Sequence, residues 1–287
     1  MAGAAGRVVG PRPVVGAVRE PAVSGRFYPG TGAELERALR DFLEPLRAPA
    51  PSAARAVIVP HAGYVYSGLT AAHAFARTCI PPLVVILAPN HTGLGDARGA
   101  ALWEDGAFRI PLGDVPVDAP LAHALLDACP LVTPDHLAHR DEHAVEVELP
   151  FIRYLAPDAR IVPLVLPWDD WESSRTLGEA LARVISGSGE PVLLVASSDL
   201  SHYEPAGVAE RKDARALAAV GELDGAELLA RCHHEAITMC GRAPVAAVLA
   251  AARALGATRA EVVDYRHSGW ATGDDRSVVG YAGVVIP

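Results

Sequence analysis

Along this chain, short apolar runs rich in β-branched residues alternate with longer stretches in which apolar residues recur at helical spacing. The runs at 56–59, 83–88, 160–166 and 191–196 have the length and composition of buried strands. Two more strands are predicted near 260–265 and 278–285. The intervening periodicity predicts helices over 32–43, from an N-cap at Ser67 to Cys79, and over 119–128, 142–155, 171–186, 206–220, 224–231 and 243–255. The Gly-, Asp- and Pro-rich region 93–119 predicts short strands or loops. This alternation predicts an α/β fold whose largely parallel or mixed sheet carries helices on both faces. No shift in composition marks a second domain, so residues 18–287 are expected to form one domain. Residues 1–17 are expected to be a disordered lead-in.

Three of the apolar runs end on chemistry. Ala56–Val59 runs into Pro60 and His61, and Val84–Ala88 runs into Pro89, Asn90 and His91. Val192–Ala196 runs into Ser197, Ser198 and Asp199, with His202 three residues on. Ligands of open α/β sheets bind beyond the carboxyl ends of parallel strands. If these strands are neighbours, His61, His91, Asp199 and His202 converge on one cleft suited to metal binding or acid–base work. Singly, each histidine can equally cap a strand end, and Asp199 can open a turn. Asp199 and His202 are close enough in sequence for one to hydrogen-bond the other and fix its tautomer.

Cys240 precedes an Ala-rich helix with Pro244 in its first turn, and Arg242 lies nearby. That setting predicts a thiol of lowered pKa, fit to be a thiolate ligand or a redox group. Cys79, Cys129 and Cys232 read as buried structural residues. The segment His139-Arg140-Asp141-Glu142-His143 matches the H-x-x-E-H pattern of inverted zinc peptidases. It stands where a helix begins and leaves the three strand ends unexplained. A role for Glu142 and His143 in lining the cleft from a loop accounts for more. The His233-His234 doublet reads as surface.

Composition narrows the field. The chain has 287 residues, 51% of them apolar, and a net charge of −9 with acids and bases interspersed. No basic stripe suggests a nucleic-acid partner, and no apolar stretch has the length of a membrane span. Four scattered cysteines without a C-x-x-C pair suit a reducing cytoplasm rather than a disulfide framework.

Taken in order, Pro60-His61-Ala62-Gly63-Tyr64, Pro89-Asn90-His91, Asp141-Glu142-His143, Ser197-Ser198-Asp199 with His202, and Cys240-Gly241-Arg242 resemble the Memo family. Bacterial and archaeal members are often called AmmeMemoRadiSam system protein B. The opening Arg19-Glu20-Pro21-Ala22 and Phe27-Tyr28 fit as well, and the resemblance runs from about Arg19 to Val285. It implies a fold similar to that of class III non-haem iron extradiol dioxygenases. It also implies iron at the site, with copper or zinc as alternatives, held by His61, His91 and Cys240. Asp199 and His202 would stand beside the metal, and His143 would line the pocket. The dioxygenases use two histidines and a carboxylate; a thiolate in the third place is softer, tolerates Cu(I) or Zn²⁺ and can itself be oxidised. A redox enzyme is therefore expected, acting on a small-molecule or peptide ligand in the cleft. The alternative is a metal-handling protein without turnover, with partner proteins of the same system.

Overall fold

The structure, a computed structural model, describes residues 16–46 and 50–287. The expected lead-in therefore falls almost wholly outside the described residues. In chain order the elements are β1 (Val18–Arg19), α1 (Gly32–Leu43), β2 (Ala56–Val59), α2 (Tyr64–Phe75), β3 (Leu83–Pro89), β4 (Ala100–Leu102), β5 (Ala107–Ile110), β6 (Gly113–Pro116), α3 (Ala119–Ala128), β7 (Val132–Pro134), α4 (His136–Arg140), α5 (Leu149–Leu155), β8 (Arg160–Leu166), α6 (Trp171–Gly187), β9 (Val192–Ser197), β10 (His202–Glu204), α7 (Ala206–Gly221), α8 (Gly225–His234), α9 (Arg242–Ala254), β11 (Glu261–His267), α10 (Gly269–Thr272) and β12 (Val278–Ile286).

Four parallel strands, in the order β2-β9-β3-β8, form the centre of a nine-stranded mixed sheet. Antiparallel β12 extends it beyond β2, with β10 and β11 pairing onto β12. Antiparallel β4, and then β7, extend it beyond β8. Parallel centre strands must bury both faces, and alternate residues do so. Ala56, Ile58, Leu83, Val85, Leu87, Leu194 and Ala196 meet α3, α6, α7, α8 and α9 on one face. Val57, Val59, Val84, Ile86, Ala88, Leu193 and Val195 meet α1, α2, α5 and a small β1-β5-β6 sheet on the other.

The helices follow local rules. Leu35, Leu39 and Leu43 make the buried stripe of α1, and Thr31 caps it by accepting from the Glu34 N–H. Asp118, Asp170 and Asp224 cap α3, α6 and α8 in the same way. Helices α6 and α9 pack backbone to backbone at Gly178, where a Cβ would come within 2.5 Å of the Ala247 carbonyl. That proximity explains the alanines of α9.

Several helix boundaries differ from expectation: α2 ends at Phe75 rather than Cys79, α8 runs on to His234, and two helix starts shift. Helix α2 begins at Tyr64 on a Gly63 cap, and Ser67 lies inside it, its hydroxyl donating back to the Ala62 carbonyl at 2.8 Å. The helix expected over 142–155 starts as α5 only at Leu149, after a 3₁₀ turn at Glu146–Glu148. The backbone N–H groups of His143 and Ala144 turn instead to the Glu142 side chain. Cys79 is exposed rather than buried, whereas Cys129 and Cys232 are buried, and all four cysteines are unbridged. No helix among the described residues is long and apolar enough to cross a membrane.

The N-terminal segment is tied to the loop before α5 by one buried carboxylate. Glu146 has no exposed surface. It pairs with the Arg19 guanidinium and accepts from Ala22 N (2.7 Å), Val23 N (3.1 Å) and the Tyr28 hydroxyl (2.5 Å). Arg19 also donates to the carbonyls of His139 (3.0 Å) and Glu142 (2.5 Å). Removing one partner of a buried ion pair strands the other charge, at about 3–5 kcal/mol. Glu146→Ala should therefore lower unfolding stability by about that amount in denaturant titrations. Arg175→Ala, which breaks the surface pairs with Glu172 and Glu179, should be nearly silent. Equal effects of the two variants would refute the anchor.

Candidate metal centre

Strand register brings the strand ends together. Val59 of β2 pairs with Ser197 of β9, so His61 and Asp199, each two residues further on, lie side by side. The Asp199 carboxylate accepts from the backbone N–H groups of His61 (3.0 Å) and Ala62 (3.3 Å). Leu87 of β3 pairs with Ala196 on the other side of β9, which brings the Asn90-His91 turn to the same rim. The Asn90 side chain shapes that turn, accepting from Gly93 N and donating to the Leu94 carbonyl, both at 2.8 Å.

A third imidazole arrives from the loop before α5. Ligand nitrogens of His61, His91 and His143 all lie within 4.8 Å of one another. Their rings are 4.7–5.3 Å apart centre to centre, with His91 and His143 stacked. The edge of Phe27 covers His143 at 4.9 Å. Cys240 stands beside them, its Sγ 3.3 Å from His61 Nε2 and accepting from Asp199 N at 3.2 Å. The close approach depends on Gly241, where a Cβ would sit 2.4 Å from the Ser197 carbonyl.

The outer hydrogen bonds suit a metal. His91 Nδ1 meets Glu142 Oε1 at 2.9 Å, and His61 Nδ1 meets Ser197 Oγ at 2.8 Å. Each Nε2 is thereby left as the donor atom, which is how metal-ligating histidines are usually oriented. Burial pulls the His61 pKa down to about 3 and that of His143 to about 4, with neighbouring histidine charge adding to both. Both rings are neutral and ready to ligate at ordinary pH. Burial also opposes charge on His91, but the Glu142 hydrogen bond and charge, with that of Asp199, outweigh it and leave the pKa raised. Burial would push Glu142 up, yet His91, His143 and the Ala144 N–H hold it at about 2. The array thus fits a metal: two neutral imidazoles, a third backed by an ionised carboxylate, and a thiol at hand. Its ligand atoms spread slightly wider than the roughly 3–4 Å that bonds of about 2.0–2.3 Å to one ion allow, so binding would draw them together.

Other expectations change. The Cys240 thiol pKa is raised, not lowered: burial and the Asp199 charge oppose the thiolate. Arg242, expected to lower it, pairs with Asp169 instead. The Asp199–His202 hydrogen bond is replaced by other partners. His202 Nδ1 faces the Thr238 carbonyl at 2.9 Å, while the Asp199 pKa is raised by burial and moderated by the His202 charge. His139 stands outside the histidine array, its Nε2 on the Ala101 carbonyl at 2.9 Å, so the two histidines of H-x-x-E-H do not converge. His233 and His234 are exposed, as expected. Sequence reasoning missed Ser197 and Glu148 behind His61, and Glu146. Ser197 was visible only as part of the Ser197-Ser198-Asp199 stretch after a strand, and the two acids only as part of a supposed helix.

Comparison with known proteins gives a consistent picture. A family model described as Memo-like protein matches residues 19–285. A MEMO1 family protein of Methanopyrus kandleri is 39% identical over 280 residues, covering 93% of this chain and 98% of its own. One from Aquifex aeolicus is 41% identical over 273 residues, covering 94% and 99%. Among solved structures, that of an uncharacterized protein from Escherichia coli K12 matches with a TM-score of 0.50 at 16% identity, over 79% of this chain and 98% of its own. That likeness speaks for the fold alone.

The pKa directions order the three rings. In metal-free protein, His91 should take up its proton first as pH falls from neutral. His61 and His143 should stay neutral until about pH 3 and 4. A ¹⁵N-histidine NMR titration reads this order directly, and protonation of His61 before His91 would contradict it.

Proposed function

This chain belongs to the Memo-like family, and from that membership and the histidine array we propose that it is a metal-dependent redox enzyme acting on a small molecule or peptide in the cleft. The observation that carries the reading is the convergence of His61, His91 and His143, with the ring orientations of His61 and His91 set from outside. His61 and His91 are proposed as ligands, with Cys240 as the third and His143 lining the same pocket. Iron is the proposed metal, with copper or zinc as alternatives. Bound there, iron or copper would supply a redox change and an open position for a ligand.

The chain's own residues divide the remaining work. Glu142 holds His91 by both its backbone N–H (2.6 Å) and its ring, and places negative charge behind the array. Asp199 fixes the turn that carries His61. His202, half-buried and oriented by the Thr238 carbonyl, keeps its Nε2 for moving a proton. The Cys240 thiol gives up its proton only in exchange for a metal bond, because its pocket disfavours the free thiolate. A softer thiolate also suits metal handling without turnover, which is the second reading.

Anaerobic loading with iron or copper, followed by elemental analysis, tests the site. The wild-type chain should retain metal, His91→Ala should lose it, and Cys240→Ser should hold sharply less while keeping the fold. A wild-type chain that retains no metal would overturn the reading. Full occupancy in Cys240→Ser would remove the thiolate from the ligand set. Steady oxygen consumption by the loaded chain with added substrates supports the enzyme. Tight, exchangeable metal without turnover supports metal handling.

A further inference from the structure

Two buried acids stand behind the histidine array, and the donors around them differ. Glu142 receives four N–H contacts: His91 N at 2.6 Å, His91 Nδ1 at 2.9 Å, His143 N at 2.9 Å and Ala144 N at 3.0 Å. That set is built for a carboxylate. Glu148 has no exposed surface, meets only the Ser197 hydroxyl, and leaves its Oε2 without a hydrogen-bond partner.

Ser197 Oγ has three neighbours, all at 2.8 Å: the Ala144 carbonyl, Glu148 Oε1 and His61 Nδ1. A hydroxyl carries one proton and two lone pairs. The carbonyl can only accept, so it takes the hydroxyl proton. The two lone pairs must then accept from the other neighbours, and both must be donors. His61 Nδ1 carries a hydrogen, and so does Glu148 Oε1. With an ionised Glu148, one hydroxyl proton would have to serve two acceptor oxygens at 2.8 Å. An anionic Oε2 would also be buried unpaired, which costs far more than an unpaired acid carbonyl. Burial pushes the Glu148 pKa well above the carboxylate range against the Ser197 hydrogen bond, with the Asp199 charge adding to the rise.

We propose that Glu148 is a positioning residue of the metal centre: a neutral carboxylic acid that donates to Ser197 and through it fixes His61 as the Nδ1–H tautomer, with the Nε2 lone pair toward the array. The hydrogen-bond arrangement stands without a metal; its consequence for metal affinity rests on the metal-binding reading above. The two histidines then differ as ligands. His91, backed by a carboxylate, is the more basic, and His61, backed by a hydroxyl, the less.

The test uses metal-free, full-length protein. ¹⁵N-histidine NMR reads the His61 tautomer, with the signal assigned by its loss in His61→Gln. Infrared difference spectra of wild type against Glu148→Gln read a protonated-carboxyl stretch. The expected results are an Nδ1–H His61 at neutral pH in both wild type and Glu148→Gln, whose amide can still donate to Ser197, and an acid band lost in the variant. Glu148→Leu, lacking the donor, should shift His61 toward a tautomer mixture. It should also weaken metal binding on the order of 10–100-fold, while Glu148→Gln stays close to wild type. The proposal is overturned if no acid band is found, or if Glu148→Gln disturbs the His61 tautomer as much as Glu148→Leu. If Glu148→Leu does not fold, the wild-type and Glu148→Gln spectra still decide. If the wild type binds no metal, the function reading fails while the tautomer and infrared results still judge this proposal.

Discussion

Glu146 is a carboxylate removed from water and held by Arg19, two backbone N–H groups and a tyrosine hydroxyl. The loop that completes the candidate site depends on that pairing. Arg19 also donates to the carbonyls of His139 and Glu142, which fixes the loop over residues 139–148. From that loop come the carboxylate behind His91, the third imidazole and the acid behind Ser197. A segment near the N-terminus thus sets the geometry of a site made mostly by strand ends some 40 to 180 residues later. It gives a structural role to Arg19-Glu20-Pro21-Ala22, a stretch with no chemistry of its own at the rim.

The site also shows how one small volume sorts its ionisable groups. Glu142 and Glu148 are both buried, yet only the first is surrounded by N–H donors. The imidazoles of His61 and His143 are driven neutral by desolvation, whereas His91 has a carboxylate in hydrogen-bond contact and keeps its affinity for a proton. Such separation of environments lets one cluster present neutral ligands and a compensating charge together.

Much of this was legible in the sequence, for identifiable reasons. The central strands are apolar on both faces, so β2, β3, β8 and β9 stood out as continuous runs. Their parallel order was enough to gather His61, His91 and Asp199, and the residues after α8 delivered Cys240 to the same rim. What could not be read were partners set by tertiary contact. Glu142 and His143 carry a local helical pattern, but the Glu142 side chain captures the N–H groups a helix would use. The Cys240 argument from a helix terminus and a nearby arginine failed because the thiol is buried and lies beside Asp199, while Asp169 draws Arg242 away. Glu148 has no signal at all without knowing that Ser197 lies beside it.

The most direct test of the central claim is X-ray absorption at the metal edge of the loaded chain. Outer-shell scattering typical of imidazole, with nitrogen at about 2.0–2.1 Å and one sulfur at about 2.3 Å, is the expected first shell. An all-oxygen shell without imidazole scattering would contradict the account, because His61 and His91 would then not be the residues that hold the metal.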